Sequence, residues 1–190
     1  METASSIQAN PPSFEIPRQT LIVLCGPAGS GKSTFANRFV ERHYDDGCRA
    51  TTIVSSDHCR ALICDDVTNQ QVNRDTFDLF YYIIHKRMVQ HFLTIADSTA
   101  LTTEARHRLV DMARRQHFTT CLVVFNMSLQ TCIARDRKAD RGRVVGEQVI
   151  AYHVKQLQRA LQLFPQEGWD RIYVLDEQHA DLDLSINGEK

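Results

Sequence analysis

The sequence lacks the features that mark membrane, secreted and disordered proteins. No apolar run in the 190 residues reaches the roughly 18 residues that a membrane-spanning helix needs. Residues 1–18 lack the basic start and the apolar stretch of a signal peptide. Hydrophobic residues make up 43% of the chain and charged residues 24%, a composition too apolar for disorder as the main state. We therefore expect a globular protein of the cytoplasm.

Metal-binding and disulfide patterns are also missing. The six cysteines are scattered and include no CxxC pair, so we expect reduced thiols in a chain without an export signal. The eight histidines follow no zinc-binding spacing, and no metal site built from protein ligands alone is predicted. The net charge of −1 argues against tight, nonspecific binding to duplex nucleic acid. It is compatible with an enzyme that binds one end of a nucleic-acid strand in a short, positively charged channel.

Short apolar runs that alternate with helical stretches define the fold class. Residues 75–91 and 150–161 repeat apolar side chains at helical spacing, and Thr102 is a plausible N-cap for a helix between them. Strands that alternate with helices predict an α/β, three-layer domain with a central parallel sheet of about five strands. The predicted strands lie at residues 21–25, 51–54, 93–96, 121–125 and 172–175.

The first 18 residues differ from the rest of the chain. They contain three of the five prolines and show no periodicity. We interpret residues 1–18 as a flexible N-terminal segment. Residues 19–190 are then expected to form one domain, since single domains commonly run to roughly 100 to 200 residues.

The segment GPAGSGKS at residues 26–33 matches the pattern G-x-x-x-x-G-K-[ST] between a predicted strand and a predicted helix. Its glycines allow backbone N–H groups to wrap phosphates, and the helix N-terminus adds a partial positive charge. Lys32 is expected to reach the β and γ phosphates, and Ser33 to ligate Mg²⁺. A purine nucleoside triphosphate with Mg²⁺ is therefore the implied ligand. The expected nucleotide-binding residues are Gly26, Gly29, Ser30, Gly31, Lys32, Ser33 and Thr34.

Two aspartates follow predicted strands at the edge of the sheet where ligands bind. Asp97 closes the strand at residues 93–96, and Asp57 follows the strand at residues 51–54. Asp97 is the candidate for the magnesium side together with Ser33. Either aspartate could instead cap a helix, because Asp is common at N-caps.

Asp57 and Arg60 form the second pattern of interest. One helical turn would bring these side chains to the same face beside the γ phosphate. The acid could accept a proton from a hydroxyl nucleophile, and the arginine could bind a phosphate of the same substrate. A local salt bridge with no catalytic role is the alternative.

A cluster of cations lies between the helix after the fourth strand and the last long helix. Five of the nine residues from 135 to 143 are basic, and they repel one another unless an anion binds. This pattern favours an arginine-rich lid that closes over the transferring phosphoryl group, and a solvated basic loop is the alternative. The candidate lid arginines are Arg135, Arg137, Arg141 and Arg143.

Together these motifs resemble the kinase module of the bacterial polynucleotide kinase-phosphatase RNA repair enzymes. The resemblance spans residues 20–175 and includes the phosphate loop, SSDHCR, DDVTNQ, DTFDLFYYIIHKRM, DST and the basic segment. It implies a P-loop 5′-hydroxyl polynucleotide kinase that uses ATP and Mg²⁺ on RNA or DNA ends. The implied catalytic residues are Lys32, Asp57 as general base, Arg60 on the substrate phosphate, and Arg135 and Arg143 in the lid.

The sequence also departs from that family. Ala100 stands where the family pattern predicts Asn after D-x-T, and the lid spacing is one residue longer. The choice among Arg137, Arg141 and Arg143 for the lid therefore stays open. Phosphatase and ligase-like parts have no counterpart in the sequence, so separate repair proteins are the implied partners.

Two other functions remain as alternatives. A kinase for a small hydroxylated metabolite or nucleoside would share the loop, the strand-end aspartate and the lid. A nucleotide-dependent switch is less compatible, because no N-K-x-D guanine signature is present and a switch needs no pair such as Asp57 and Arg60.

Overall fold

The computed structural model describes residues 13–138, 144–178 and 183–187. None of the helices within these ranges is long and apolar enough to cross a membrane. The strands of the described chain are β1 (Ser13–Pro17), β2 (Thr20–Cys25), β3 (Ile53–Ser55), β4 (Thr94–Asp97), β5 (Thr119–Phe125), β6 (Arg171–Leu175) and β7 (Asp183–Asn187). Its α-helices are α1 (Lys32–Arg42), α2 (Ser56–Cys64), α3 (Asn73–Val89), α4 (Thr103–Arg115), α5 (Leu129–Asp136) and α6 (Glu147–Ala160).

Five parallel strands form the central sheet in the order β3-β4-β2-β5-β6. The register places Ile22 of β2 between Ile95 of β4 and Cys121 of β5. All six residues of β2 are buried, as expected for a strand that is covered on both faces. The structure confirms the predicted α/β fold with a central parallel sheet of five strands.

Helices pack on both faces of this sheet and give the molecule three layers. Leu21 and Val23 of β2 point into a core formed with α3, α4 and the end of α6. The alternate residues Ile22 and Leu24 point into a second core formed with α1 and α5. This alternation follows from the two-residue period of a strand. Because the five strands are parallel, all the βα turns lie along one edge of the sheet.

Strands β1 and β7 form a separate two-stranded parallel sheet. Ile16 and Leu184 from these strands are buried in the second core. The prediction of a flexible segment over residues 1–18 is therefore wrong for residues 13–17, which form β1. The sequence signal was weak, because the strand is short, ends at a proline and pairs with a strand far away along the chain.

A fully buried ion pair fixes the turn after β4. Arg106 of α4 donates to both carboxylate oxygens of Glu167, at 2.8 and 2.6 Å, and to the backbone oxygen of Ala100 at 3.0 Å. Burial raises the pKa of Glu167, but hydrogen bonds from Arg106 and Trp169 outweigh it, and the net pKa is lowered. The Arg106 bond to the Ala100 oxygen supports this residue in a left-handed conformation, with φ of 45°.

Candidate active site

The phosphate loop connects β2 to α1 and depends on glycine at two positions. Gly31, the N-cap of α1, has a φ of 104°, which disfavours any side chain. At Gly29, with φ of 77°, a Cβ atom would lie 2.2 Å from the backbone oxygen of Cys132 in α5. The backbone N–H of Gly26 donates to the Thr99 oxygen at 3.0 Å. The loop is therefore packed between α5 and the turn after β4.

The Lys32 side chain is buried within this loop. Its ammonium donates to the backbone oxygens of Gly26 at 2.9 Å and of Pro27 at 2.6 Å. These bonds fold the flexible side chain back over the loop and restrict its rotation. The positive charge is thus held where the sequence motif predicts phosphate contacts.

Ser33 and Asp97 meet at the first turn of α1. The Ser33 hydroxyl donates to Asp97 Oδ2 at 2.9 Å. Burial raises the pKa of Asp97, while the charge of Lys32 and the Ser33 hydrogen bond oppose this rise and the charge of Asp57 adds to it. A hydroxyl and a carboxylate are the hard oxygen donors that Mg²⁺ prefers. The structure thus brings together both residues that were predicted for the magnesium side.

Asp57 and Arg60 lie in the first turns of α2, whose N-cap is Ser55. Arg60 Nη1 donates to Asp57 Oδ1 at 3.0 Å, and Arg60 Nη2 donates to Asn73 Oδ1 at 2.8 Å. The Arg60 side chain is 4% exposed, whereas that of Asp57 is 55% exposed. The arginine therefore lies behind the acid and holds it, and the acid is open to solvent.

A cleft of about 550 Å³ connects these groups. Asp57 and the phosphate loop both line it, and Thr68 and Gln70 from the DDVTNQ segment line the same space. Arg60 does not line this cleft. The structure thus joins the phosphate loop, the magnesium-side pair and the candidate base in one site. It directs Arg60 toward Asp57 and Asn73. The predicted residues that line the cleft include Gly29, Gly31, Lys32, Ser33, Asp57 and Asp97.

The predicted lid is described only in part. Arg135, in the last turn of α5, donates to the Ser30 backbone oxygen at 3.1 Å and so contacts the phosphate loop. Arg137 is exposed and pairs with Glu147 at 3.2 Å. The predictions for Arg141 and Arg143 lie outside the described residues.

Three residues that the sequence predictions did not include support the site. Asn73 accepts from Arg60, and Arg106 holds the turn at Ala100. The buried carboxylate of Asp136 accepts from the backbone N–H groups of Val145 and Gly146 and so joins the ends of α5 and α6. Arg106 had one available signal, since it shares a helix face with the buried residues Leu109 and Ala113. A charge on an apolar face indicates a buried partner.

Comparison with known families agrees with this geometry. Residues 21–164 match the AAA_33 family, which is described as an AAA domain. The chain belongs to this family. No curated protein matches the chain.

Solved structures share the fold at low sequence identity. A chain of the Pnkp1/Rnl/Hen1 RNA repair complex aligns with a TM-score of 0.64 and 19% identity, over 84% of this chain and 48% of that one. This chain therefore spans about half the length of that relative. The Mycobacterium tuberculosis APS kinase CysC, solved with AMPPNP and APS, aligns with a TM-score of 0.53 and 16% identity, over 79% and 99% of the two chains.

A gluconokinase from Sinorhizobium meliloti 1021 aligns with a TM-score of 0.52 and 16% identity, over 87% of this chain and 86% of that one. A chain of an RNA repair complex, an APS kinase and a gluconokinase thus share one architecture with this chain. The likenesses therefore show that this chain has the P-loop kinase fold, and they leave the acceptor to be argued from the site.

Proposed function

We propose that the protein is an ATP-dependent kinase that transfers the γ phosphate to the 5′-hydroxyl end of RNA or DNA. One observation carries this proposal: the exposed carboxylate of Asp57 is fixed at the wall of the phosphate-loop cleft by a buried arginine. A carboxylate in this position can accept the proton of a hydroxyl that attacks a phosphoryl group. A nucleotide-dependent switch has no need for such an acid.

The donor side fits ATP and Mg²⁺. Residues 26–34 would hold the triphosphate through backbone N–H groups and Lys32, and Ser33 with Asp97 would hold the metal or its water ligands. When bound, magnesium neutralises charge on the transferring phosphoryl group. Arg135, which already contacts the loop, would add a cation on the same side, and Arg143 keeps the lid role that the resemblance implies.

The contacts of Arg60 support a positioning role for this residue. Two of its nitrogens are bonded to Asp57 and Asn73, and its Nε atom has no hydrogen-bond partner among the described residues. A guanidinium in this state orients the base. The contact between Arg60 and an acceptor phosphate stays a prediction.

The choice of a polynucleotide acceptor is supported by the motifs shared with the RNA repair kinases and by the structural likeness to a chain of an RNA repair complex. The likeness to APS kinase and gluconokinase favours a second candidate, a kinase of a small hydroxylated metabolite. Both candidates use the same donor site. They differ only in the molecule that presents its hydroxyl to Asp57.

An end-specific assay tests the proposal. RNA and DNA oligonucleotides that carry a 3′ label and a 5′-hydroxyl are incubated with the protein, ATP and Mg²⁺. The products are then treated with a nuclease that digests only strands with a 5′-phosphate. We expect digestion after reaction with the wild-type enzyme and none with Asp57→Asn. Oligonucleotides that resist digestion, while small alcohols are phosphorylated under the same conditions, would favour the metabolite kinase.

A further inference from the structure

A second cavity, of about 640 Å³, adjoins the phosphate-loop cleft. The two spaces share Ser98 and Thr99 in the turn after β4. Helices α3, α4 and α6 form the walls of the second cavity. Its lining combines the aromatic rings of Phe77, Tyr81, Tyr152 and His153 with one guanidinium, that of Arg108, and one carboxylate, that of Glu104.

Arg108 is the cation of this cavity. Its guanidinium lies 3.9 Å from the centroid of the Tyr81 ring, and the ring is fixed because Tyr81 is only 7% exposed. Within the described ranges, Arg108 forms no hydrogen bond or ion pair. A stacked guanidinium keeps its N–H donors along the edge, where they can bind a phosphate. The cavity thus offers a preoriented cation for an anion.

Tyr152 and Gln156 form the opposite wall. They lie one turn apart on α6, and the Tyr152 side chain is 60% exposed, so its ring is accessible to a ligand. An aromatic ring provides a stacking surface for any nucleobase. The Gln156 amide provides a donor and an acceptor for the edge of a base.

Asn73 connects this cavity to the candidate base. Its side chain accepts the hydrogen bond from Arg60 Nη2, and the residue also lines the second cavity. An acceptor that presents a hydroxyl to Asp57 and extends past the shared turn at Ser98 and Thr99 would place its remaining atoms near Asn73. Arg60 itself is buried and bonded to both neighbours, so Arg108 is the cation that an acceptor in this cavity meets.

We propose that this cavity binds the 5′-terminal nucleotide of the acceptor strand. The base stacks on Tyr152, and the phosphate on the 3′ side of that nucleotide binds Arg108. This inference rests on the proposed function and deepens it, because it names the residues that recognise the acceptor. It assigns the phosphate contact to Arg108 and leaves Arg60 as the residue that positions Asp57.

Arg108→Ala is the principal test, and Arg115→Ala is its matched control. Arg115 lies two turns further along α4, is also exposed, and lies outside the cavity. Binding is measured by fluorescence anisotropy with a 3′-fluorescein, 5′-hydroxyl oligonucleotide over a series of salt concentrations. We expect Arg108→Ala to weaken binding about tenfold, as for loss of one charge-assisted contact.

The salt series gives a readout that a structural effect would not produce. The slope of the logarithm of the association constant against the logarithm of the salt concentration is negative. Loss of one phosphate contact makes it less negative by about 0.7 for a single strand. In turnover assays the KM for the oligonucleotide should rise and kcat should stay unchanged. Arg115→Ala should leave the slope and the KM at wild-type values.

A second pair of variants tests the stacking surface. Tyr152→Phe keeps the ring and should bind like wild type. Tyr152→Ala should weaken binding by roughly five- to a hundredfold, the range for loss of one base–aromatic stack. Because Tyr152 is exposed, thermal melting should be the same for both variants.

The outcomes separate this inference from the proposed function. If the wild type phosphorylates 5′-hydroxyl oligonucleotides but Arg108→Ala and Arg115→Ala bind alike with equal salt slopes, the cavity assignment is overturned and the function stands. A rise in KM for Arg60→Ala without one for Arg108→Ala would also overturn it. If the wild type neither binds nor phosphorylates oligonucleotides, the function itself is wrong and the assignment falls with it.

Discussion

Two substitutions at Asp57 separate its chemistry from its role in folding. Asp57→Asn keeps an oxygen that can accept the hydrogen bond from Arg60 Nη1, and Asp57→Ala removes it. Neither variant can accept a proton from a hydroxyl. Both should therefore lose turnover to the same degree, by about 10²- to 10⁴-fold, the usual contribution of a general base.

The two variants should differ in stability. The Asp57 side chain is 55% exposed, so loss of its charge in Asp57→Asn should cost only about 0–1 kcal/mol. In Asp57→Ala a donor of the buried Arg60 guanidinium loses its partner, which costs about 1–3 kcal/mol. In a protein of this size each kcal/mol lowers Tm by about 2–4 °C.

Single-turnover kinetics at saturating ATP, with thermal melting of the same samples, measures both effects. The expected pattern is equal loss of turnover and a lower Tm for Asp57→Ala alone. Turnover of Asp57→Asn close to that of wild type would refute the general-base assignment. Equal Tm values for the two variants would refute the contact that holds the acid.

Three further predictions concern the donor side. Lys32→Ala should abolish phosphoryl transfer, measured with labelled ATP, because it removes the cation of the phosphate loop, and the loss of its bonds to the Gly26 and Pro27 oxygens should lower Tm without unfolding the chain. Gly29→Ala and Gly47→Ala both place a side chain at positive φ, and each should lower the free energy of unfolding by roughly 1–2 kcal/mol for this reason. Only the new methyl group of Gly29→Ala would also clash with the Cys132 backbone, so the Tm of this variant should fall further. Equal decreases in Tm for the two variants would contradict the packing of the loop against α5. Burial raises the pKa of Asp97 above its ordinary 3.8. The carboxylate therefore loses its proton less readily in the folded chain than in the unfolded chain, and the free energy of unfolding falls as the pH rises from 3.8 through the raised pKa. Asp97→Asn should therefore raise Tm at neutral pH, lose that advantage below pH 3.8 and lose activity; a Tm at or below that of wild type at pH 7 would contradict the burial.

Local patterns predicted most of the central fold. The run at residues 21–25 corresponds to β2, and Thr102 caps α4 by accepting from the Ala105 N–H at 3.3 Å. The phosphate loop and the contact between Asp57 and Arg60 are also local, since each depends on residues within a few turns of one another. Hydrophobic periodicity and capping residues carry this kind of information.

Long-range contacts account for what the sequence did not predict. Strand β1 pairs with β7 across most of the chain, and no local pattern identifies such a partner. Asn73 meets Arg60 from 13 positions away, and Glu167 meets Arg106 from 61 positions away. The contact with Asn73 helps to direct the Arg60 guanidinium toward Asp57, an arrangement that the local motif did not predict, and a contact of Arg60 with a substrate phosphate stays a prediction.

A competition assay tests the central claim most directly. Equal concentrations of a 5′-hydroxyl oligonucleotide, its nucleoside and a panel of small alcohols compete for one pool of γ-labelled ATP, and the label is followed at early times. Relative kcat/KM values follow from the distribution of label. If the protein is a polynucleotide 5′-kinase, the label enters the oligonucleotide at its 5′ end. Label in a small alcohol, with the oligonucleotide unlabelled, would contradict it.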